Sequence, residues 1–234
     1  MKRTFVSLGG LTRSIYSGET EPPRGQLVYR GAEADVIQGV WMGLPAVFKV
    51  RKPLAYRLEA LDLALRRQRT LHEAELIHSA RKAGVSAPRL YFVDTTRTTL
   101  VMEFVEGTRL KECVLKSGEK DVEILFREMG RDVAKLHCAG ITHGDLTTAN
   151  VILRAGELVF VDFGLASHSV RLEDHAVDLR LIKETLVGAH SSIAPMAMES
   201  FFKGYREKAG GARAKAVARQ LRSIERRGRY ARLT

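Results

Sequence analysis

The segment His143-Gly-Asp-Leu-Thr-Thr-Ala-Asn150, followed by the triplet Asp162-Phe-Gly164, holds the most informative polar residues of this 234-residue chain. Asn150 is the only asparagine in the sequence, and it stands five positions after Asp145. Carboxylate and amide oxygens are the ligands that hard cations such as Mg²⁺ prefer. The spacing therefore predicts a site in which oxygen ligands gather around a cation, with a carboxylate beside it.

Two short apolar runs separate the segment from the triplet. Asn150-Val-Ile-Leu-Arg154 and Glu157-Leu-Val-Phe-Val-Asp162 flank Ala155-Gly156, a pattern typical of a β-hairpin. A hairpin brings the start of its first strand beside the end of its second. We therefore expect Asn150 and Asp162 to face one site.

The order His-x-Asp-x-x-x-x-Asn followed by Asp-Phe-Gly matches the catalytic loop and metal-binding motif of protein kinases. In that pattern Asp145 receives the proton of the attacking hydroxyl, and Asn150 and Asp162 hold Mg²⁺. Phosphoryl transfer needs charge neutralisation more than covalent help from the protein. The motif therefore predicts an enzyme that uses Mg-ATP, and His143 is included among its candidate catalytic residues.

A lysine at the end of a predicted strand indicates where the nucleotide phosphates bind. Ala46-Val-Phe-Lys49 stands where the kinase signature Val-Ala-Ile-Lys is expected. A lysine in a half-buried strand needs a partner, for which we choose Glu73, with Glu75 as the alternative.

The remaining nucleotide contacts are expected from a turn and a linker. Gly31, Ala32, Glu33 and Ala34 form the expected phosphate-covering turn, which keeps only the first glycine of the usual Gly-x-Gly-x-x-Gly. Its backbone N–H groups can still bind phosphate. In the linker Glu103-Phe-Val105, backbone groups of Glu103 and Val105 are expected to meet the adenine edge.

Periodicity predicts an α+β fold with a strand-rich N-terminal lobe and a helical C-terminal lobe. We expect lobes at 1–106 and 107–210, followed by a basic tail at 211–234. The predicted strands are Gln26–Arg30, Ala34–Gln38, Pro45–Val50, Arg89–Val93 and Thr99–Val105. The predicted helices lie within 55–83, between Val122 and Gly140, over Asp178–Leu186, over Met196–Lys208 and over Arg213–Arg227, with a frayed end at 229–232.

The net charge of +11 is concentrated near the C-terminus. From Lys203 to Thr234 there are eleven Lys or Arg residues against two Glu. This asymmetry favours a polyanionic partner, most commonly nucleic acid, although a solvated helix face is the alternative. No apolar run reaches the roughly 20 residues of a membrane span, and the N-terminus lacks a signal-peptide core. We therefore expect a cytoplasmic protein that does not bind membranes.

Several of these stretches together resemble one family. They are Gly31-Ala-Glu-Ala34, Arg69-Thr-Leu-His-Glu73, His143 to Asn150, Asp162-Phe-Gly-Leu165 and Arg227-Gly-Arg-Tyr-Ala-Arg232. The chain resembles, over nearly its whole length, the small atypical serine/threonine kinase of the KEOPS/EKC complex (the PRPK-like family). The resemblance implies a minimal two-lobed protein-kinase-like fold, with ATP and Mg²⁺ as cofactors.

The resemblance also implies residue roles and partners. Lys49 and Glu73 correspond to the ion pair, Asp145 to the catalytic aspartate, and Asp178 to the family's aspartate that braces the catalytic loop. Only thirteen residues separate Asp-Phe-Gly from Asp178, without an Ala-Pro-Glu segment, so the usual activation loop is missing. The implied partners are the threonylcarbamoyltransferase subunit, a small regulatory subunit and tRNA bound through the basic tail, in the synthesis of threonylcarbamoyladenosine on tRNA.

Two other functions fit parts of the sequence. Small-molecule phosphotransferases of the aminoglycoside or choline kinase type share the His-Gly-Asp loop but usually lack Asp-Phe-Gly. A kinase-like scaffold that binds a partner and tRNA, with nucleotide as a structural switch, is the alternative outside enzymes. The complete set of catalytic residues argues against it.

Overall fold

A computed structural model describes residues 4–8, 11–15 and 25–230, and the contacts within it divide the chain into two compact units. The first holds the described residues as far as His78 together with Pro88–Val105. The second holds Ser79–Ala87 and the described residues from Glu106 onward. Among the helices in these ranges, none combines the length and the apolar character required to cross a bilayer.

The first unit is built on a five-stranded antiparallel sheet with strand order β3-β4-β5-β7-β6. A separate hairpin pairs β1 with β2. The strands are β1 (Thr4–Leu8), β2 (Leu11–Ile15), β3 (Gly25–Arg30), β4 (Ala34–Trp41), β5 (Leu44–Arg51), β6 (Leu90–Asp94) and β7 (Thr99–Glu103). The sequence predicted β3 to β7 within a few residues and predicted no strand at β1 or β2.

Alternation along the central strand β5 places different chemistry on its two faces. Successive side chains of a strand point to opposite faces. Ala46 and Phe48 therefore share one face, where they form an apolar cluster with Val101 of β7. Lys49 and Arg51 lie on the other face, and both contact helix α1 (Glu59–Lys82).

The helices of the second unit are α2 (Leu110–Val114), α3 (Glu119–Cys138), α4 (Leu172–Ala189), α5 (Ala194–Ala209) and α6 (Gly211–Tyr230). Helix α3 buries one stripe of apolar side chains, as its 3.6-residue period predicted. It packs closely on α5, because Gly130 of α3 and Gly204 of α5 allow the two backbones to approach. Helix α6 packs against α4 and α5.

Short strands surround the candidate site in the second unit. The predicted hairpin is confirmed: β10 (Val151–Arg154) pairs antiparallel with β11 (Glu157–Phe160), and Ala155-Gly156 forms the turn. Strand β8 (Thr108–Arg109) adds to the other edge of β10. Strand β9 (Ile141–Thr142) pairs with β12 (Ser167–His168), on either side of the hairpin in sequence.

Two boundaries differ from the prediction. Helix α4 begins at Leu172 rather than Asp178, because Glu173 and Asp174 form an acidic first turn that suits the helix N-terminus. Residues 211–227 lie within the second unit, since α6 buries Ala214, Val217 and Leu221. The predicted lobe limits otherwise remain a prediction. Helix α6 continues to Tyr230, and the part of the predicted frayed end at 231–232 lies outside the described residues.

Candidate active site

The loop from His143 to Asn150 connects β9 to β10 and contains the candidate residues His143, Asp145 and Asn150. A 3₁₀ turn at Thr148–Asn150 ends the loop. The Asn150 side-chain nitrogen donates to the Asp145 carboxylate at 2.7 Å and to the Asp145 backbone oxygen at 2.9 Å. These two bonds hold the Asp145 carboxylate in one orientation. They also turn the Asn150 amide oxygen away from Asp145.

The hairpin β10–β11 brings Asp162 beside this loop. The Val161 N–H donates to the Asn150 backbone oxygen at 2.9 Å. Asp162, which follows Val161, is therefore a neighbour of Asn150. Asp162 itself has φ 61° and ψ 68°. Such left-handed geometry is costly for a residue other than glycine and clusters at functional sites. The backbone thus holds Asp162 in a strained conformation at the end of the hairpin.

Gly144 is required by the same arrangement. Its φ is +77°, and a Cβ atom at this position would collide with the backbone oxygen of Leu165. A side chain at position 144 would therefore push the loop away from the 3₁₀ turn Phe163–Leu165. The close approach explains why glycine stands between His143 and Asp145.

His143 lies in the protein interior. It is 1% exposed, and its ring lies 4.9 Å from that of Phe163 between centroids. Its Nε2 bonds to the Val161 backbone oxygen at 3.2 Å, and its Nδ1 accepts from the Asp145 N–H at 3.4 Å. Burial lowers its pKa below the ordinary histidine value. The neutral ring links the loop to Val161, the residue before Asp162. In this geometry His143 is a positioning residue.

Asp178 of α4 binds the loop backbone directly. Its carboxylate accepts from the N–H groups of His143 at 2.6 Å and Gly144 at 2.8 Å. It is 1% exposed. Burial acts to raise the pKa of Asp178, but the hydrogen bond from His137 and the nearby backbone N–H groups hold it below its ordinary value. The bracing contact implied by the resemblance is thus present in the structure.

A buried polar network extends from Asp178 to helix α6. His137 of α3 bonds to Asp178 through Nε2 at 3.2 Å and to the Tyr205 hydroxyl of α5 through Nδ1 at 2.9 Å. Its ring stacks on that of His175 at 4.3 Å. Arg213 of α6 donates to the His137 backbone oxygen at 2.8 Å and to His175 Nδ1 at 3.3 Å. Four helices therefore meet around the residue that braces the loop.

Sequence reasoning did not find this network. Its members are separated by up to 76 positions and follow no recognisable motif. Burial of Tyr205 raises the pKa of its phenol to about 12, so the hydroxyl keeps its proton while it shares a hydrogen bond with His137.

The first unit contains the predicted ion pair. Lys49 Nζ lies 2.7 Å from Glu73 Oε1, which confirms Glu73 as a partner of Lys49. Glu75, the alternative, is exposed. Arg51, which the sequence analysis missed, lies 2.6 Å from Glu73 Oε2. Its position two residues after Lys49 on one strand was the available signal, because such residues share a face.

Two cations contact the same carboxylate in this cluster. Lys49 and Arg51 are 12% and 7% exposed, and Glu73 is buried. Lysine and arginine side chains both bind phosphate oxygens, so the cluster presents groups that suit a phosphate ligand.

The predicted nucleotide-binding turn and linker have well-defined contacts. Gly31 donates its N–H to the Ala34 backbone oxygen at 2.9 Å across the turn that contains Ala32 and Glu33. In the linker, the Glu103 N–H is bonded to the Arg89 oxygen and the Phe104 N–H to the Pro45 oxygen. Both of these N–H groups therefore already have a backbone acceptor.

The donor set in the second unit fits Mg²⁺. Asp162 supplies a carboxylate, and Asn150 supplies the amide oxygen that its bonds to Asp145 leave pointing elsewhere. Mg²⁺ is usually bound by one or two protein oxygens, with the other positions taken by water and substrate phosphates. Among the described residues, no group of three or more His, Cys, Asp or Glu side chains is arranged to hold a metal ion without such help.

A basic stripe runs along the exposed face of α6. We use this name for four exposed cations spaced at three or four residues: Lys215, Arg219, Arg222 and Arg226. Residues at this spacing lie on one helix face, and the opposite face buries Val217 and Leu221. Arg213 is not part of the stripe because it points into the buried network.

Comparison with known proteins supports a kinase assignment. A family model described as "Protein kinase domain" matches residues 45–208. A Rio2 kinase from Chaetomium thermophilum, solved as an ADP/Mg²⁺-phosphoaspartate complex, shares the fold with a TM-score of 0.58. That match has 16% identity and covers 87% of this chain and 70% of the other. The minimal kinase-like α+β fold is therefore confirmed.

Curated relatives indicate a narrower family within the protein kinases. The chain is 39% identical over 211 residues to the "KEOPS complex subunit Bud32" of Pyrococcus abyssi, covering 88% of this chain and 96% of the relative. It is 36% identical to the "EKC/KEOPS complex subunit Tp53rkb" of Mus musculus, covering 87% and 86%.

A third relative is a longer protein. The "Probable bifunctional tRNA threonylcarbamoyladenosine biosynthesis protein" of Methanobrevibacter smithii is 40% identical over 87% of this chain. The match spans 36% of that relative's length. Together with the match to the kinase model, these similarities show that the chain belongs to the protein kinase domain family and, within it, to the Bud32 family of KEOPS subunits.

Proposed function

We propose that this protein is a Mg-ATP-dependent atypical serine/threonine kinase or ATPase subunit of the KEOPS complex that supports threonylcarbamoyladenosine modification of tRNA. The observation that carries the proposal is the Asp145 carboxylate, fixed by Asn150 in a loop whose backbone is bonded to Asp178. A catalytic base needs this kind of orientation before it can receive a proton.

Each residue then has a distinct task. Asp145 accepts the proton of the attacking hydroxyl, which belongs to a serine, a threonine or water. Asn150 orients Asp145 and, with Asp162, holds Mg²⁺. When bound, Mg²⁺ neutralises charge on the triphosphate oxygens. Lys49 and Arg51 add positive charge for the phosphates, and Glu73 fixes both cations.

The nucleotide-binding turn and linker complete the proposal for ATP. Backbone N–H groups of residues 31–34, other than that of Gly31, which is bonded to Ala34, cover the phosphates. The backbone of Val105 meets the adenine edge. Because the Glu103 N–H is bonded to Arg89, the carbonyl oxygen is the backbone group that Glu103 offers there.

The relatives named as KEOPS subunits and the charge of α6 support a proposal about partners. We propose that the protein works in the cytoplasm with the KEOPS threonylcarbamoyltransferase subunit and a small regulatory subunit. The basic stripe on α6 supports contact with the tRNA backbone. Between Phe163–Leu165 and α4 the chain is short and includes only strand β12. It therefore offers little surface to position an extended peptide substrate, which favours ATP hydrolysis within the complex.

The alternative of a small-molecule phosphotransferase is not favoured. The chain carries Asp-Phe-Gly, and two relatives that match over most of both chains are named as KEOPS subunits. The scaffold alternative differs from the proposal in one measurable way: a scaffold binds nucleotide without turning it over.

The test is release of phosphate from Mg-ATP, with and without tRNA and the transferase subunit. We expect Asp145→Ala and Asp162→Ala to lower turnover by about a hundredfold or more, as is typical for a lost base or metal ligand. Asp121→Ala, an exposed aspartate in the first turn of α3, is the matched control. Undiminished turnover in both variants contradicts an enzymatic role, whereas stimulation confined to the assembled complex supports an ATPase.

A further inference from the structure

An arginine-rich recess opens in the first unit beside the start of helix α1. The space between its walls is about 200 Å³ and includes open solvent. Five cations and one carboxylate line it, together with one leucine: Arg51, Lys52, Arg57, Arg66, Arg69, Glu33 and Leu54. We call it the arginine recess.

Three of its cations are bound to internal partners. Arg51 contacts Glu73 at 2.6 Å and the Arg69 backbone oxygen at 3.3 Å. Arg66 contacts Asp62 at 2.6 Å and the Thr98 hydroxyl at 3.0 Å. Lys52 contacts the Gly31 backbone oxygen at 2.7 Å and Asp35 at 3.0 Å. These contacts shape the walls of the recess.

The other two cations converge on Glu33. Arg69 donates to its carboxylate. Arg57 approaches the same carboxylate at 3.7 Å and Asp62 at 3.7 Å, both beyond hydrogen-bonding distance. Glu33 is 44% exposed and Arg69 is 43% exposed. The hydrogen bond from Arg69, opposed by partial burial, lowers the pKa of Glu33, so this internal anion stays charged.

We propose that the arginine recess is an anion site for a phosphate group, which displaces the Glu33 carboxylate from Arg57 and Arg69. Guanidinium groups bind phosphate through paired, charge-assisted hydrogen bonds. The ion pairs that Glu33 makes are exposed and therefore weak, so their loss costs little. Free phosphate and the phosphodiesters of an RNA backbone both present the required oxygens.

The recess is lined by Arg51 and Glu33, which also belong to the nucleotide-binding residues proposed above. Arg57 and Arg69, the two arginines that bind the phosphate, have no part in that role, and phosphate binding requires no turnover. Binding can therefore be measured whether or not the protein hydrolyses ATP.

The test measures binding of inorganic phosphate and of a fluorescently labelled single-stranded RNA. Phosphate affinity is obtained from melting temperatures at constant ionic strength, with chloride as the replaced anion. RNA affinity is obtained from fluorescence anisotropy. Both are measured with Mg²⁺ and a saturating non-hydrolysable ATP analogue, whose triphosphate keeps inorganic phosphate from the candidate nucleotide site.

Three variants decide the outcome. We expect the double variant Arg57→Gln/Arg69→Gln to weaken binding about tenfold or more, since it removes two charge-assisted contacts. Arg67→Gln is the matched control, because Arg67 is an exposed residue of the same helix that donates to the Thr95 backbone oxygen. It should change affinity less than about twofold. Glu33→Gln removes the competing carboxylate and should tighten binding about two- to fivefold.

A gain of phosphate affinity in Glu33→Gln requires folded protein and cannot arise from misfolding. This variant therefore keeps the proposal testable even if the double variant is unstable. Phosphate binding that depends on Arg57 and Arg69, without such RNA binding, identifies free phosphate as the ligand. RNA binding with the same dependence identifies the nucleic-acid backbone. The proposal is overturned if neither probe binds, if the double variant binds both as the native protein does, or if Glu33→Gln weakens binding.

Discussion

Asp178 is the residue on which the candidate loop depends most, because it accepts hydrogen bonds from two consecutive backbone N–H groups. The same carboxylate is bonded to His137, which Tyr205 and Arg213 hold in turn. A loop N–H without this acceptor would lose its partner in a buried place, which is costly. The backbone that carries Asp145 is therefore held by Asp178 and the buried residues around it.

Replacement of Asp178 should lower the rate of turnover without weakening nucleotide binding. In Asp178→Asn the side chain keeps its size, but its amide nitrogen is a donor. This nitrogen cannot accept a hydrogen bond from a loop N–H group or from His137. We expect turnover of Mg-ATP to fall about tenfold or more while nucleotide affinity, measured by calorimetry, stays within about twofold.

The control for that experiment is Asp174→Asn, one turn earlier in α4, where the carboxylate accepts from the Ser169 hydroxyl at 2.6 Å. Unchanged turnover in Asp178→Asn would reject the bracing role. Equal losses in both variants would indicate general damage to α4.

His175 should make stability depend on pH. Burial, with the nearby charges of His137 and Arg213, lowers its pKa from 6.5 to about 4, although Asp178 opposes this shift. As the pH falls below 6.5, the unfolded chain takes up a proton that the folded chain refuses. The free energy of unfolding should therefore decrease between pH 6.5 and pH 4, by at most about 3 kcal/mol, and should be fully retained above pH 6.5.

Urea unfolding at several pH values checks this prediction. His175→Gln should flatten the decrease between pH 6.5 and pH 4, whereas His168→Gln, at an exposed position of the same unit, should leave it unchanged. The same slope in native protein and His175→Gln would show that another group is responsible.

Among the elements, the pair α3 and α5 is the closest contact between helices in the second unit. Cβ atoms built at Gly130 and Gly204 would each collide with a backbone oxygen of the opposite helix, that of Phe201 or of Arg127. Arg127 and Arg131 of α3 also contact Glu207 of α5. These contacts set the position of Tyr205 and hence of His137, so element packing determines the geometry of the loop.

A methyl group at Gly204 should separate the two helices. We expect Gly204→Ala to lower the free energy of unfolding by about 2 kcal/mol or more through overpacking. Gly188→Ala is a control of opposite sign, because Gly188 of α4 has open space around a Cβ atom. It should raise stability by up to about 1 kcal/mol through helix propensity. Chemical denaturation measures both effects, and a neutral Gly204→Ala would contradict the close approach.

At the scale of the whole molecule, the positive charge of the C-terminal region is divided between the interior and the surface. Arg213 is used inside the second unit, while the basic stripe faces outward. Four cations at helical spacing span about 16 Å along the axis. This length matches several phosphates of a nucleic-acid backbone.

Neutralising the stripe should reduce both tRNA affinity and its dependence on salt. For Arg219→Gln/Arg222→Gln/Arg226→Gln we expect the slope of log affinity against log salt to become shallower by about 0.7 to 0.9 for each phosphate that α6 no longer neutralises. Lys111→Gln/Lys116→Gln/Lys120→Gln removes the same charge from exposed positions elsewhere in the second unit. Equal slopes for the two triple variants would assign the effect to net charge rather than to α6.

Local spacing was enough to predict the parts of the site that lie close together in sequence or follow a motif. Asp145, Asn150 and Asp162 are within eighteen positions, and the hairpin between them follows from alternation and a turn. The strands of the first sheet and the main helices followed from periodicity in the same way. The roles of these residues in turnover remain predictions for the experiments above.

Longer-range contacts depended on packing that no sequence pattern encodes. Two examples are the links from His137 to Tyr205 and Arg213, and the convergence of Arg57 and Arg69 on Glu33. Motif and periodicity report neighbours along the chain, because backbone geometry repeats every two or 3.6 residues. Which buried charge meets which partner is settled by close packing between elements, since each buried polar group must find an acceptor or donor there.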